Sequence, residues 1–491
     1  MNRLKTALIS ALALLVSLAF TASASATFGL QPGSVDAYAF DEHGSTFSQA
    51  GGHPYSVGTE FKLNREPSPA PFGNEQGLVS SEAPLRTVKV QAPAGLVGNP
   101  TATPRCTMAE YLNSESESDE SAGNLSQCDP SSQIGMAIVE VTELFGAHRY
   151  YPGPVYNLEP QRGQPALFAF KVAGLVSTLV VPRLRSEGDY GFDLEAIDVE
   201  RSLPVLGNGF VFWGVPGNPA HDPEHGEPVD PGENLEGFRD EVINKAGHCA
   251  GDPTVDPPCP GGDAPERAFL TNPTDCVHGP FFLNLEVRSW KGHVDSTEFV
   301  THDDEGNPLG VTRCDRVPFE PSMSSMPTTD SAETASGLDF ELRMPSAGIE
   351  NPEGLAQSYL KEAIVKLPEG VTVNPSAAEG LGVCSKADLE REKTFSAPGE
   401  GCPNSSKIGT LQIQSPLLES SELVEGALYL GTPDNPSTTD QGAENQFDSL
   451  LSLYLVAKLP ERGVMVKLAG KVEPDPETGQ ITTTFKDLPQ L

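Results

Sequence analysis

The chain is 491 residues long, with 68 Asp and Glu against 32 Lys and Arg and a formal charge of -36. Phosphate recognition needs a basic face; this balance, with no long run of Lys and Arg and no nucleic-acid motif, argues against a nucleic-acid partner. Solubility of an exported protein explains the acidity with fewer assumptions than calcium or a cationic partner, and 45 prolines with 48 glycines favour many short strands over α/β domains.

Arg3 and Lys5 precede a largely apolar run over residues 7–20, which gives way to small residues ending at Ala26. This order predicts a signal peptide over residues 1–26, cleaved before Thr27, an uncleaved N-terminal anchor being the alternative. No other stretch reaches membrane length, so the mature chain is expected outside the cytoplasmic membrane without a transmembrane span. Residues 27–51 read as an N-terminal extension.

From residue 52 onward the chain carries one cysteine-bearing passage twice. Val88-Lys89, Pro93, Gly95, Asn99-Pro100, Cys106, Cys128 and Ile134-Gly135 recur in order as Val365-Lys366, Pro368, Gly370, Asn374-Pro375, Cys384, Cys402 and Ile408-Gly409. The offset is 275 at Pro93, Gly95 and Asn99, and 274 from Cys128 to the Ile-Gly pair. It is 273 where Gly153, Tyr156 and Pro160 match Gly426, Tyr429 and Pro433, and 284 where Val172-Ala173 matches Val456-Ala457. The second copy is thus read as having gained eleven residues (284 minus 273) in the polar stretch 434–448, where an insertion costs least. Upstream, Glu60-Phe61-Lys62-Leu63 resembles Asp339-Phe340-Glu341-Leu342 as a first strand; downstream, Leu203-Pro204 resembles Leu488-Pro489. Such a fixed-order recurrence marks a module used twice, at residues 52–204 and 336–491.

In the second copy, apolar or alternating runs at residues 362–367, 408–415, 424–430, 450–459, 464–472 and 481–485 predict strands, with a hairpin turn at 475–479. One short helix follows the first cysteine of each copy, because Thr107 with Glu110 and Ser385 with Asp388 make capping boxes. The expected fold is mainly β: tandem β-sandwich modules, immunoglobulin-like or related, each with one short helix and a disulfide staple. Residues 205–319 read as a Pro/Gly-rich intermodule element with four cysteines, or as a piece packed onto the first module, and residues 320–335 as a linker. The second module stops at Leu491 directly after strand-like sequence, so it is expected to be a shorter member or truncated.

Export favours disulfides over metal ligation, and neither copy has a Cys-x-x-Cys pair. If each module folds by itself, Cys106 pairs with Cys128 and Cys384 with Cys402. Cys249 is then expected with Cys259, and Cys276 with Cys314. Loops of this size give about 3 kcal/mol each on the chain-entropy model.

Candidate chemistry is sparse. His221-Asp222-Pro223-Glu224-His225 is the best metal candidate, but Pro219 and Pro223 oppose the helix that would align two imidazoles, and a solvated turn is the simpler reading. The run from His302 to Asn307 lacks the spaced ligands of an EF-hand and reads as an acidic hairpin tip. The acidic serine stretch 114–121 reads as an exposed loop. No Gly-x-Ser-x-Gly, His-Glu-x-x-His or Walker loop is present, so no catalytic, cofactor-binding or metal residue is assigned.

Gln49-Ala50-Gly51-Gly52-His53-Pro54-Tyr55, Trp213-Gly214-Val215-Pro216 with His221-Asp222, Phe269-Leu270-Thr271-Asn272-Pro273-Thr274, and Leu367-Pro368-Glu369-Gly370-Val371 resemble phrases of large, uncharacterised exported repeat proteins of actinobacteria. The resemblance spans nearly the whole mature chain and implies secretion and modular β structure, with no catalytic residue to carry over. The expected function is that of a secreted or cell-surface, non-enzymatic structural or recognition protein, whose partner is an extracellular protein or glycan. The alternatives are a secreted metal-dependent hydrolase using His221, Asp222 and His225, with His53, and a carbohydrate binder with aromatics such as Tyr156 and Tyr429 on a sandwich face.

Overall fold

A computed structural model describes residues 27–68, 77–80, 83–113, 126–142, 148–186, 188–226, 238, 263–371, 380–432 and 451–488. The expected signal peptide, the Cys249–Cys259 pair, the stretch 114–121 and the insertion at 434–448 lie outside these residues.

The strands are β1 (Asp36–Phe40), β2 (Ser56–Lys62), β3 (Arg65–Ser68), β4 (Gly77–Ser80), β5 (Leu85–Gln91), β6 (Val97–Gly98), β7 (Gln133–Thr142) and β8 (His148–Leu158). There follow β9 (Leu167–Val172), β10 (Val176–Leu184), β11 (Phe192–Ala196), β12 (Val205–Trp213), β13 (Leu270–Thr271), β14 (Phe282–Ser289) and β15 (Val294–Val300). The remainder are β16 (Ser322–Pro327), β17 (Leu338–Arg343), β18 (Glu362–Lys366), β19 (Lys407–Ile413), β20 (Val424–Leu430), β21 (Leu451–Leu459), β22 (Val464–Pro474) and β23 (Ile481–Lys486). Helices are short: α1 (Met108–Leu112), α2 (Ala347–Glu350) and α3 (Lys386–Arg391).

The fold is mainly β, but tandem sandwiches are not what forms. Eleven strands make one antiparallel sheet in the order β1-β2-β12-β7-β8-β9-β10-β11-β5-β14-β15, and six make a second in the order β18-β23-β22-β21-β20-β19. The larger sheet curls until its ends nearly meet, giving an almost closed barrel. Side chains bridge the seam: Leu30 N donates to Asp295 Oδ2 at 2.8 Å, and His302 Nε2 lies 3.0 Å from Asp36 Oδ1. The sandwich expectation fails because β12, β14 and β15 come from residues 205–319 and take ladder positions in the first sheet. That segment is therefore part of the first body, and β1 brings the N-terminal extension into it as well. Residues 320–335 likewise contribute β16, which pairs with β17.

The two copies share a six-stranded unit. The order β7-β8-β9-β10-β11-β5 in the barrel is repeated strand for strand by β19-β20-β21-β22-β23-β18. Both have a register shift at the same place, between Gln133 and Gly135 and between Lys407 and Gly409. Tyr156 faces Ala169 as Tyr429 faces Tyr454, an offset of 285 (454 minus 169), so the ladder places one residue more in the insertion than the sequence match does.

Small details repeat too. Thr107 with Glu110 and Ser385 with Asp388 close capping boxes, and the backbone amides of Thr107 and Ser385 hold the two carboxyls below their ordinary range. Disulfides join Cys106 to Cys128 and Cys384 to Cys402, each beside its helix, and Cys276 to Cys314 around the β14–β15 hairpin. Each helix-side disulfide packs on the outer face of its sheet with a buried tyrosine, Tyr156 or Tyr429.

The main core is the barrel interior, built from inward residues such as Val139, Val155, Phe168, Phe170, Val180 and Phe212. Aromatic edges meet there, Phe168 with Phe212 and Phe210 with Phe212, at centroid distances of 5.3 and 4.9 Å.

Candidate functional site

The histidine loop lies directly after β12. Asn218 caps a 3-10 turn by accepting from Ala220 N, and Pro219 and Pro223 shape the rest, so residues 219–224 form no α-helix. His221 is fully buried, its ring stacked between Tyr55 at 3.9 Å and Trp213 at 4.6 Å, each 20° from parallel. Its Nδ1 donates to Glu224 Oε2 at 2.8 Å, while Tyr55 Oη donates to Glu224 Oε1 at 3.1 Å. Burial, with the Glu224 charge beside it, raises the Tyr55 pKa well above the phenol range. His221 Nε2 is buried with no hydrogen-bond partner among the described residues.

His225 is also buried, and both of its nitrogens face carbonyl oxygens, Pro130 at 3.1 Å and Pro216 at 3.2 Å. Burial lowers its pKa in spite of those carbonyls. The loop is held down from below as well: Gln133 donates to Glu224 O and accepts from Gly226 N. His53, the fourth member of the metal reading, spends Nδ1 on Leu270 O and Nε2 on Gly348 O, both at 2.9 Å. Among the described residues no three His, Cys, Asp or Glu side chains converge as a metal site. Thus the motif is a turn that keeps Pro219, Ala220 and Pro223 exposed while burying the His221 and His225 rings, with His53 elsewhere.

The other candidates resolve similarly. Asp303 accepts from the backbone of Glu305 and Asn307, making a turn, and the loop is tied to the N-terminal strand through His302 and Asp36. Tyr156 and Tyr429 are 6% and 7% exposed, so neither offers a sugar-stacking face. The barrel interior keeps an apolar cavity of about 70 Å³, with Thr59, Thr178 and Asn208 as its polar lining. Ligand pockets run to about 300–1,000 Å³, so this is a packing void. A broader groove of about 1110 Å³ runs between Tyr190 and the outer face of β18, β22 and β23. Three of its four lysines are matched within it, Lys471 by Glu473 at 2.6 Å, Lys486 by Glu362 at 3.4 Å and Lys386 by Glu390 at 3.9 Å, and Lys467 Nζ donates to Glu392 O at 3.5 Å.

What the sequence reading missed is a surface. The second sheet ends in β18 on one side and β19 on the other, and no described strand pairs with their outer edges. Its inner face, the counterpart of the barrel lining, presents Leu411, Leu428, Leu430, Leu453 and Leu455 half-buried and Ile413 exposed. On the opposite face the sequences differ: Met136 and Ile138, packed with Trp213 and with Tyr38 and Phe40 in the first copy, are answered by Thr410 and Gln412. No family model, no curated protein and no solved structure matches the chain.

Proposed function

We propose that this is an exported, non-enzymatic protein of cell-surface structure or recognition, acting through β surfaces. The observation that carries the reading is the fate of the histidines. His53 and His225 each have both ring nitrogens within hydrogen-bond distance of backbone carbonyls, and His221 is clamped between two aromatic rings, so the best metal candidate in the sequence is used for packing. Three disulfides suit an oxidising compartment, and no helix among the described residues is long and apolar enough to cross a membrane.

Elemental analysis of the purified protein, with a thermal melt in the presence of a chelator, tests this. The expected result is no stoichiometric transition metal and an unchanged melt. Stoichiometric metal that disappears in the His221→Ala, His225→Ala double variant, with loss of a hydrolytic activity, would establish the metal-dependent hydrolase in its place.

A further inference from the structure

The segment joining the two sheets has a composition found nowhere in the ladders. Residues 321–336 hold β16 and the turn beyond it, and eight of these sixteen residues are Ser or Thr, with Pro321 and Pro327 and no Lys or Arg. Ser322, Ser324 and Ser325 lie on β16, and five more hydroxyls follow between Thr328 and Ser336. All sixteen residues are exposed except Thr329, which is half-buried. By contrast Ser132, Ser406 and Ser452, at the sheets, are buried.

The hydroxyls make only local bonds. Thr328 Oγ1 accepts from Gly337 N at 2.7 Å, and Ser336 Oγ donates to Gly337 O at 2.8 Å. Thr334 Oγ1 donates to Ser331 O at 2.7 Å, Thr329 Oγ1 accepts from Ser331 N at 3.2 Å, and Ser324 Oγ reaches Glu341 Oε2 at 3.4 Å. Each of these contacts stays within the β16–β17 hairpin, so the hydroxyls serve neither sheet. A second observation is independent of composition. Among the described residues β16 pairs only with β17, its six residues include no charge, and Met323 and Met326 on it are each 67% exposed. Edge strands in soluble proteins are blunted by charges, bulges or a covering layer, and Pro327 blunts only the last position here. The exposed turn of small polar residues beyond it is also where a protease nicks a chain most readily. Both weaknesses lie where the acceptor hydroxyls are densest.

We propose that residues 321–336 are an O-glycosylation segment, whose Ser and Thr hydroxyls take sugars from an activated glycosyl phosphate through a glycosyltransferase. In each transfer the hydroxyl oxygen bonds to the anomeric carbon of the donor. The bond from that carbon to the phosphate oxygen breaks, the phosphate leaves with the electron pair, and the hydroxyl proton passes to a base of the transferase. Segments rich in Ser and Thr and punctuated by Pro carry such sugars because they have no packed core to disturb. Ser324 and Ser325 point to opposite faces of β16, so sugars there flank the bare strand on both sides, and those between Thr328 and Ser336 shield the turn. The inference goes beyond the recognition role and rests only on its export.

Mass spectrometry of the protein recovered from the medium or cell surface of the organism that makes it is the test. Cleavage after Arg316 and Arg343 isolates residues 317–343 as one peptide with no internal Lys or Arg. Expected are forms of this peptide heavier by whole hexose or N-acetylhexosamine residues, which alkaline β-elimination releases to leave dehydrated Ser and Thr within 321–336. A bare peptide overturns the proposal. Sugar confined to other peptides overturns it too, and phosphate on these hydroxyls overturns it in favour of phosphorylation. Protein found only inside the cell removes the export reading and this inference with it, whereas exported protein with a bare peptide loses this inference alone.

Discussion

The two copies of the six-stranded unit show how little of a barrel is determined by its conserved landmarks. Turn glycines, capping boxes and disulfides coincide, yet β7 is buried at nine of its ten positions whereas β19 is exposed at most of its own. The difference comes from outside the unit: β12 and β2 cover the first copy on one side and β14 with β15 on the other. Side chains record that surrounding. Where the first copy has Gln133 gripping the histidine loop, the second has exposed Lys407, and buried Glu140 is answered by exposed Gln414.

The largest break in this comparison is expected at the paired glycines. Gly135→Val forces a side chain into the Val211 carbonyl and separates β12 from β7, which predicts a loss of about 4 kcal/mol or more, in the range reserved for core disruption. Gly409→Val brings a side chain only to ordinary contact with Leu428 Cβ, 3.6 Å from the added Cβ, and should stay within about 0.5 kcal/mol of the parent in denaturant melts. Equal losses at the two positions would mean that the copies are covered alike.

Much of this organisation was legible in the sequence, because turns and caps are local. Pro93-Gly95 and Pro368-Gly370 make the same turn, Leu96 N to Pro93 O and Val371 N to Pro368 O, with both glycines at positive φ. The disulfides next to the capped helices follow from the same locality. Sheet closure was not legible, since it depends on which distant strands meet. Phe210-Val211-Phe212-Trp213 reads as a buried strand in isolation, and nothing within it says that β2 and β7 are its neighbours. The histidine motif misled for a related reason: its composition suits a metal, while Tyr55, more than 160 residues upstream, decides that His221 is stacked.

A smaller effect is expected at Glu140, which is 0% exposed and takes the Arg65 guanidinium in a bidentate pair. Glu140→Ala leaves that cation without its partner, and breaking such pairs costs about 3–5 kcal/mol when both groups are deep. Arg65 retains some solvent contact, so the lower end applies. Gln414→Ala at the counterpart position should be silent within about 0.5 kcal/mol. Urea titration of both variants measures the contrast, and a cost at Gln414 would show a covering layer on the second sheet.

The smallest effect concerns the histidine cap that follows β12. Burial holds the His225 imidazole below its ordinary value of 6.5, against the pull of two carbonyls and Asp222, and with His221 adding to the lowering. As pH falls through 6.5, the unfolded chain therefore takes up this proton before the folded one does. The unfolded state then holds more protons, so the stabilisation is complete above that pH and declines below it, by no more than about 1.4 kcal/mol per pH unit for one proton. His225→Gln removes the titration while keeping a donor for one carbonyl. Its melting temperature should fall less steeply than the parent's between pH 6.5 and the folded-state pKa below it. Parallel pH profiles for the two proteins would mean that the ring is not neutral in the cap, and that the carbonyls of Pro130 and Pro216 prevail over burial.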